Sequence, residues 1–159
     1  MNCLGIDFGT TSVKAVLFDE NLNELATFSE EYTLNTRGNV VELVPEKYWE
    51  LLQNALKAIR EKAEIHCLAI DTQCETLILT DEEGTPVRDA IVWLDNRATA
   101  EAEDLEKRFG RKLVYEVTGQ PEVTATWPAC KLLWVKRNEP EGWAKTKKVF
   151  LLEDYILYK

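Results

Sequence analysis

Residues 5–14, Gly-Ile-Asp-Phe-Gly-Thr-Thr-Ser-Val-Lys, set an acid, a glycine and three hydroxyls between two apolar runs. An acid at the end of a strand, here Asp7, is held by a rigid element at the rim of a sheet. Gly9 lets backbone pass close to a ligand. Successive N–H groups in such a turn form an anion-binding concavity. Thr10, Thr11 and Ser12 add hydroxyl donors, and Lys14 adds a cation. A carboxylate beside an anion nest is self-defeating alone. It becomes sensible when Mg²⁺, or a water on Mg²⁺, lies between Asp7 and the anion. The turn therefore reads as a site for the phosphates of Mg-ATP. It is not a P-loop, because G-x-x-x-x-G-K-[ST] is missing, and no G-x-G-x-x-G opens a helix. An ordinary hairpin would also favour glycine and hydroxyls. It would not account for the acid–glycine–hydroxyl order between strands this apolar.

The elements that must hold this turn follow from periodicity. Residues 3–7 and 13–19 predict strands, the second almost wholly apolar and so buried on both faces. Residues 24–33 alternate as a third strand, which completes an antiparallel meander. Residues 35–39 read as a loop and 40–43 as a short strand. Pro45 then opens a helix over 45–63, with Tyr48, Leu52, Ala55, Ile59 and Ala63 on one face. Strands are expected at 65–71, 75–80, 90–93 and 149–152. Helices are expected over 97–109, 111–117 and 129–137, with another starting at 153. Asp95-Asn96 stands where it could cap the helix from Arg97. The pattern is α/β with a mixed sheet.

The 159 residues carry 28 acids against 19 bases, a net charge of −9. That argues against a nucleic-acid partner, whose phosphates such a surface repels. Cys3, Cys67, Cys74 and Cys130 show no C-x-x-C spacing, and His66 is the sole histidine, so no metal centre is read from them. Unpaired cysteines at irregular spacing suit a reducing cytosol. The first apolar run lacks a basic leader and is broken by Asp7, so it is not read as a signal peptide. No apolar stretch is long enough to span a bilayer.

The opening turn resembles the first phosphate motif of the actin-like ATPase superfamily. The segments 38–56 (GNVVELVPEKYWELLQNAL), 69–98 (AIDTQCETLILTDEEGTPVRDAIVWLDNRA) and 151–159 (LLEDYILYK) are similar, in that order, to FGGY carbohydrate kinases. The resemblance implies a ribonuclease H-like (actin-like ATPase) fold with a mixed five-stranded sheet flanked by helices. Residues 1–159 would be the N-terminal part of the family's N-terminal domain. It implies transfer of the γ-phosphoryl group of Mg-ATP to a hydroxyl of a sugar, polyol or sugar acid. Asp7 matches the metal-associated acid, and Gly9, Thr10, Thr11 and Ser12 match the phosphate turn. Lys14 stands where glycerol kinases carry arginine. Gln73 and Glu75 match the substrate-hydroxyl stretch, Trp93 matches an apolar wall of the sugar pocket, and Asp95 and Arg97 complete Trp-x-Asp-x-Arg.

Each pocket residue has a plainer reading. Glu75 could be a solvated strand residue, Trp93 a core residue, and Asp95 with Arg97 a helix start. Trp127 and Trp134 fit core or cleft wall. Cys74 replaces the glycerol-kinase arginine and Thr126 the tyrosine, which disfavours glycerol. By the resemblance, the catalytic Asp and the adenosine pocket lie beyond Lys159. The fragment alone is therefore expected to be inactive. A small-molecule sugar is the expected partner, with no nucleic acid and no membrane, and a homodimer is one assembly the full-length protein admits. The competing readings are a chaperone-type actin-like ATPase and a non-catalytic sugar-sensing module.

Overall fold

The computed structural model describes all 159 residues. The chain forms two compact units, one of residues 1–34, 44–74 and 152–159, the other of 35–43 and 75–151.

In the first unit, β1 (Cys3–Phe8), β2 (Ser12–Phe18) and β3 (Glu24–Glu31) form the expected meander. The sheet continues from β1 to β6 (Cys67–Thr72), which runs parallel to it, in the order β3-β2-β1-β6. Side chains alternate across such a sheet. Leu4, Ile6 and Phe8 of β1 and Val13, Ala15 and Leu17 of β2 are buried. Helix α1 (Pro45–Arg60) packs on β2 and β3. It buries Tyr48, Leu51, Leu52, Ala55 and Ile59, and Tyr48 meets the ring of Phe8 edge-on. Pro45 sits in the first turn of α1, where its missing N–H costs nothing. Gly5, Asp7 and Lys14 alternate onto exposed positions, and Ala69 and Asp71 are exposed as well. Helix α6 (Leu152–Tyr158) packs on β6.

In the second unit, β4 (Asn35–Arg37), β5 (Val40–Leu43), β7 (Leu77–Thr80), β8 (Ala90–Ile91) and β9 (Lys148–Leu151) pair antiparallel in the order β4-β5-β8-β7-β9. Helices α2 (Thr99–Phe109), α3 (Arg111–Thr118), α4 (Pro128–Asn138) and α5 (Pro140–Lys145) complete it. Leu77, Leu79, Ile91 and Val135 form one apolar core, with Trp134 and Trp143 against it. Ala98, Ala102 and Cys130 form another, covered by Trp127 and Trp134, so both of these tryptophans are packing residues.

The mixed sheet thus has four strands rather than five, and the five-stranded sheet is a separate antiparallel one. The chain passes between the two units after residues 34, 43, 74 and 151. Glu75, at the third passage, has φ of +64°, a left-handed conformation costly for a residue with a Cβ. β6 ends at Thr72 and β7 begins at Leu77. β4, expected as loop, is paired by β5. No helix is long and apolar enough to cross a membrane.

Candidate functional site

The turn between β1 and β2 belongs to the first unit. Asp7 is exposed one residue before the end of β1, and its register partners are Lys14 on β2 and Asp71 on β6. Across three strands the order is therefore amine, carboxylate, carboxylate. Asp7, Lys14 and Asp71 line one open concavity of about 360 Å³, floored by Gly5, Val16 and Ala69. A Cβ at Gly9 would stand 3.2 Å from the carbonyl oxygen of Ser12 and 3.9 Å from a carboxylate oxygen of Asp7. A side chain there would crowd the Ser12 carbonyl, so glycine lets the backbone of the turn close tightly.

A buried polar network fixes this turn from below. The Tyr32 hydroxyl donates to the carbonyl of Gly9, and the Tyr32 N–H donates to that of Thr11 at 2.9 Å. Gln73 follows β6. Its backbone N–H donates to the carbonyl of Phe8 at 2.8 Å, and its Nε2 donates to Tyr32 at 3.2 Å and Tyr48 at 3.0 Å. Burial pushes the Tyr32 phenol up to about 12 and raises that of Tyr48 further. Both phenols are therefore neutral at ordinary pH. Gln73 Oε1 is buried with no protein partner. Gln73, expected as a substrate contact, is a support of the turn after β1.

In the second unit, Asp95 is fully buried and Trp93 is 36% exposed. Trp93 is thus not the core residue its apolar neighbours suggested. Asp95 does not cap a helix either. Helix α2 starts at Thr99, with Ala98 before it and no side-chain cap. The Asp95 carboxylate instead accepts from the N–H of Val41 at 2.6 Å and of Arg97 at 3.0 Å. It also accepts from Arg97 Nε at 2.9 Å and Nη2 at 2.7 Å, a two-nitrogen clasp. Arg97 reaches on to Glu42 at 2.8 Å and lies over the Trp134 ring at 4.9 Å. Glu42 also bonds Arg88, which bonds Glu139 at 2.7 Å. Buried this way, the oxygens of Asp95 are occupied by protein donors, so the pair locks the segment that carries Trp93. Both side chains, expected as substrate contacts, are engaged here with protein partners.

Sequence reasoning missed Lys131. It is fully buried, and its ammonium donates to the carbonyls of Val92 at 3.0 Å and Trp93 at 3.3 Å. The available signal was a lone charge inside the apolar run Ala129–Val135 of α4. Burial lowers its pKa to about 8, against the opposing charges of Asp95 and Glu75. A lysine depressed on folding makes the unfolded state bind more protons between about 8 and 10.5, so stability rises with pH across that window. The expected gain is on the order of 2–3 kcal/mol. Lys131→Met should flatten it. Urea unfolding at pH 7.5 and 9.5 checks this; an identical rise in the variant would assign the effect elsewhere. Glu75, partly buried at its left-handed position in this unit, exerts its charge on Lys131.

The family model for the N-terminal domain of the FGGY family of carbohydrate kinases matches residues 2–159. The chain is 30% identical over 160 residues to a xylulose kinase of Staphylococcus xylosus, covering 98% of this chain and 33% of that protein. It is 30% identical over 160 residues to a gluconokinase of Bacillus licheniformis, covering 98% of this chain and 31% of that one. The solved structure of a ligand-bound xylulose kinase from Lactobacillus acidophilus superimposes with a TM-score of 0.91 at 27% identity, over 99% of this chain and 32% of that one. The chain thus spans about a third of the length of the curated relatives it matches. An acid–glycine–hydroxyl turn on a mixed sheet, a Trp-x-Asp-x-Arg segment locked by its own salt bridge, and a family match along nearly the whole length agree: the chain belongs to the FGGY family of carbohydrate kinases.

Proposed function

We propose that the chain supplies the phosphate turn and the sugar-side elements of an ATP-dependent carbohydrate kinase. The reaction is transfer of the γ-phosphoryl group to a hydroxyl of a sugar, polyol or sugar acid. The observation that carries this is the turn after β1, closed tightly at Gly9, flanked by the exposed Asp7 and Lys14, and braced by Tyr32. Those residues fit the phosphates of Mg-ATP. Asp7 would hold the metal directly or through water. The N–H groups and hydroxyls of residues 9–12 would hold phosphate oxygens, with Lys14 as the nearby cation. Bound Mg-ATP supplies the phosphoryl group and the cation that offsets its charge. The chain's part is positioning, which is where catalysis of this kind largely resides.

On the sugar side, Trp93 offers an aromatic plane for C–H faces and Glu75 a carboxylate for hydroxyls. Gln73, in the other unit, is proposed as a hydroxyl partner from the family resemblance alone. Asp95, Arg97 and Lys131 act through Trp93 by holding its segment. Relatives named xylulose kinase and gluconokinase, with Cys74 and Thr126 in place of the glycerol-kinase residues, support a ketose or sugar acid over glycerol. The family relationship also outweighs a chaperone-type ATPase. The free cysteines accord with a cytosolic setting, and a homodimer at full length belongs to the same proposal.

The test is ADP release by the full-length protein with Mg-ATP, across ketoses, polyols and sugar acids, against a no-sugar control. A rise with one class supports the proposal and names the class. Slow release indifferent to every sugar would end it. The 159 residues alone should show no sugar-dependent turnover.

Glu75 tests the sugar side separately. Glu75→Gly removes the left-handed penalty and should raise stability by about 0.5–1 kcal/mol. It should also raise the sugar KM at least tenfold in the full-length enzyme. Gained stability with an unchanged KM would leave Glu75 a turn residue only.

A further inference from the structure

We propose that Cys3 and Cys67 are a reversible disulfide site that staples β6 to β1. The two are direct register partners on adjacent parallel strands, 64 residues apart in sequence. Their sulfurs lie 2.6 Å apart, with the Cys67 thiol donating to Cys3 Sγ. Neighbouring strands are about 4.8 Å apart, within the Cα separation a disulfide bridges without backbone movement. Both thiols are reachable, Cys67 exposed and Cys3 half-buried. Cys74 and Cys130 have no sulfur partner of this kind, and Cys130 is buried. The contact with Cys3 also raises the pKa of the Cys67 thiol, as expected of a proton held between two sulfurs.

The site also has something to act on. β6 pairs with β1, and Cys67, Leu68, Ala69 and Asp71 along it are exposed. Its far end leads into Gln73, which braces the phosphate turn, so a bond at the near end fixes the register on which that brace depends.

The chemistry needs a two-electron oxidant such as a peroxide. Ionised Cys3 attacks a peroxide oxygen and the O–O bond breaks. This leaves a sulfenic acid on Cys3 and a hydroxide, which takes the Cys67 proton to become water. The Cys67 thiolate then attacks the Cys3 sulfur. The S–O bond breaks, the S–S bond forms, and the departing hydroxide takes up the proton released when Cys3 ionised. Both cysteines are oxidised and one peroxide is reduced to two waters. A small-molecule dithiol reverses the bond by exchange.

The experiment treats the chain with hydrogen peroxide, quenches it, and measures intact mass and peptides without reduction. The expected result is loss of two hydrogens and a linked peptide pair containing Cys3 and Cys67, both reversed by dithiothreitol. The thermal midpoint should rise by roughly 5–15 °C in the oxidised form. Cys3→Ser and Cys67→Ser should each abolish the change, and Cys74→Ser should leave it intact. Addition of oxygen atoms to Cys67 without closure, a bridge to Cys74, or unchanged thiols at Cys3 and Cys67 under peroxide that oxidises Cys74 would each overturn the proposal.

Discussion

Arg97→Ala lowers the unfolding free energy by about 3–5 kcal/mol, the range for removing one partner of a buried ion pair. Arg97 and Asp95 have side chains 6% and 0% exposed. Taking away the guanidinium leaves the Asp95 carboxylate in the interior with only the N–H groups of Val41 and residue 97 as donors. It also strips Glu42 of one of its two arginines and uncovers the Trp134 ring. Arg97→Lys should recover only part of the loss, because a point ammonium cannot reproduce a clasp made by Nε and Nη2. Asp95→Asn should cost less than Arg97→Ala, since the amide oxygen still accepts from Val41. Urea titrations of the three variants give the order. A loss below about 1 kcal/mol for Arg97→Ala would put the pair in the class of surface bridges and remove the lock.

Asp7→Ala behaves in the opposite way. The side chain is exposed and its neighbours in register are solvated, so stability should change by no more than about 0.5 kcal/mol. Sugar-dependent ADP release by the full-length enzyme should fall on the order of 10²–10³-fold, as when one preorganised group facing a developing charge is lost. Asp7→Asn should fall similarly, because a neutral amide is a poor ligand for Mg²⁺. Extra Mg²⁺ should not restore the rate. Near-normal turnover in either variant would remove the metal role from Asp7 and return the turn to an ordinary hairpin.

These two residues also mark what the sequence could and could not disclose. Asp7, Gly9 and the hydroxyls were legible because their partners are local. A strand, a tight turn and a second strand are specified within about a dozen neighbouring residues, and alternation gives the buried face. The three-strand meander and α1 followed from the same short-range signals. The supporting role of Asp95 and Arg97 was hidden because two of the groups they bond are remote: Val41, which donates to Asp95, and Glu42, which accepts from Arg97, lie on β5, more than 50 residues earlier. Lys131 was invisible for the same reason, since only the fold brings Val92 and Trp93 to its ammonium. The division into two sheets was hidden because the chain passes between the units four times, and nothing in the type of Glu75, at one of these passages, announces its positive φ. Tyr48 was read as an apolar helix position, and the hydrogen bonds of its hydroxyl and that of Tyr32 with Gln73 are set by the fold.

The brace beneath Gly9 has one more implication. Its members are an amide and two phenols, none of which exchanges a proton with solvent in the physiological range, Tyr32 holding its proton until about 12. The scaffold of the turn is therefore insulated from acidity. Any dependence of nucleotide affinity on hydrogen-ion concentration between about pH 6 and 9 must report the nucleotide's own phosphates or groups outside this brace. A profile that superimposes on the titration of the free nucleotide would be the signature of a receptor that does not itself titrate.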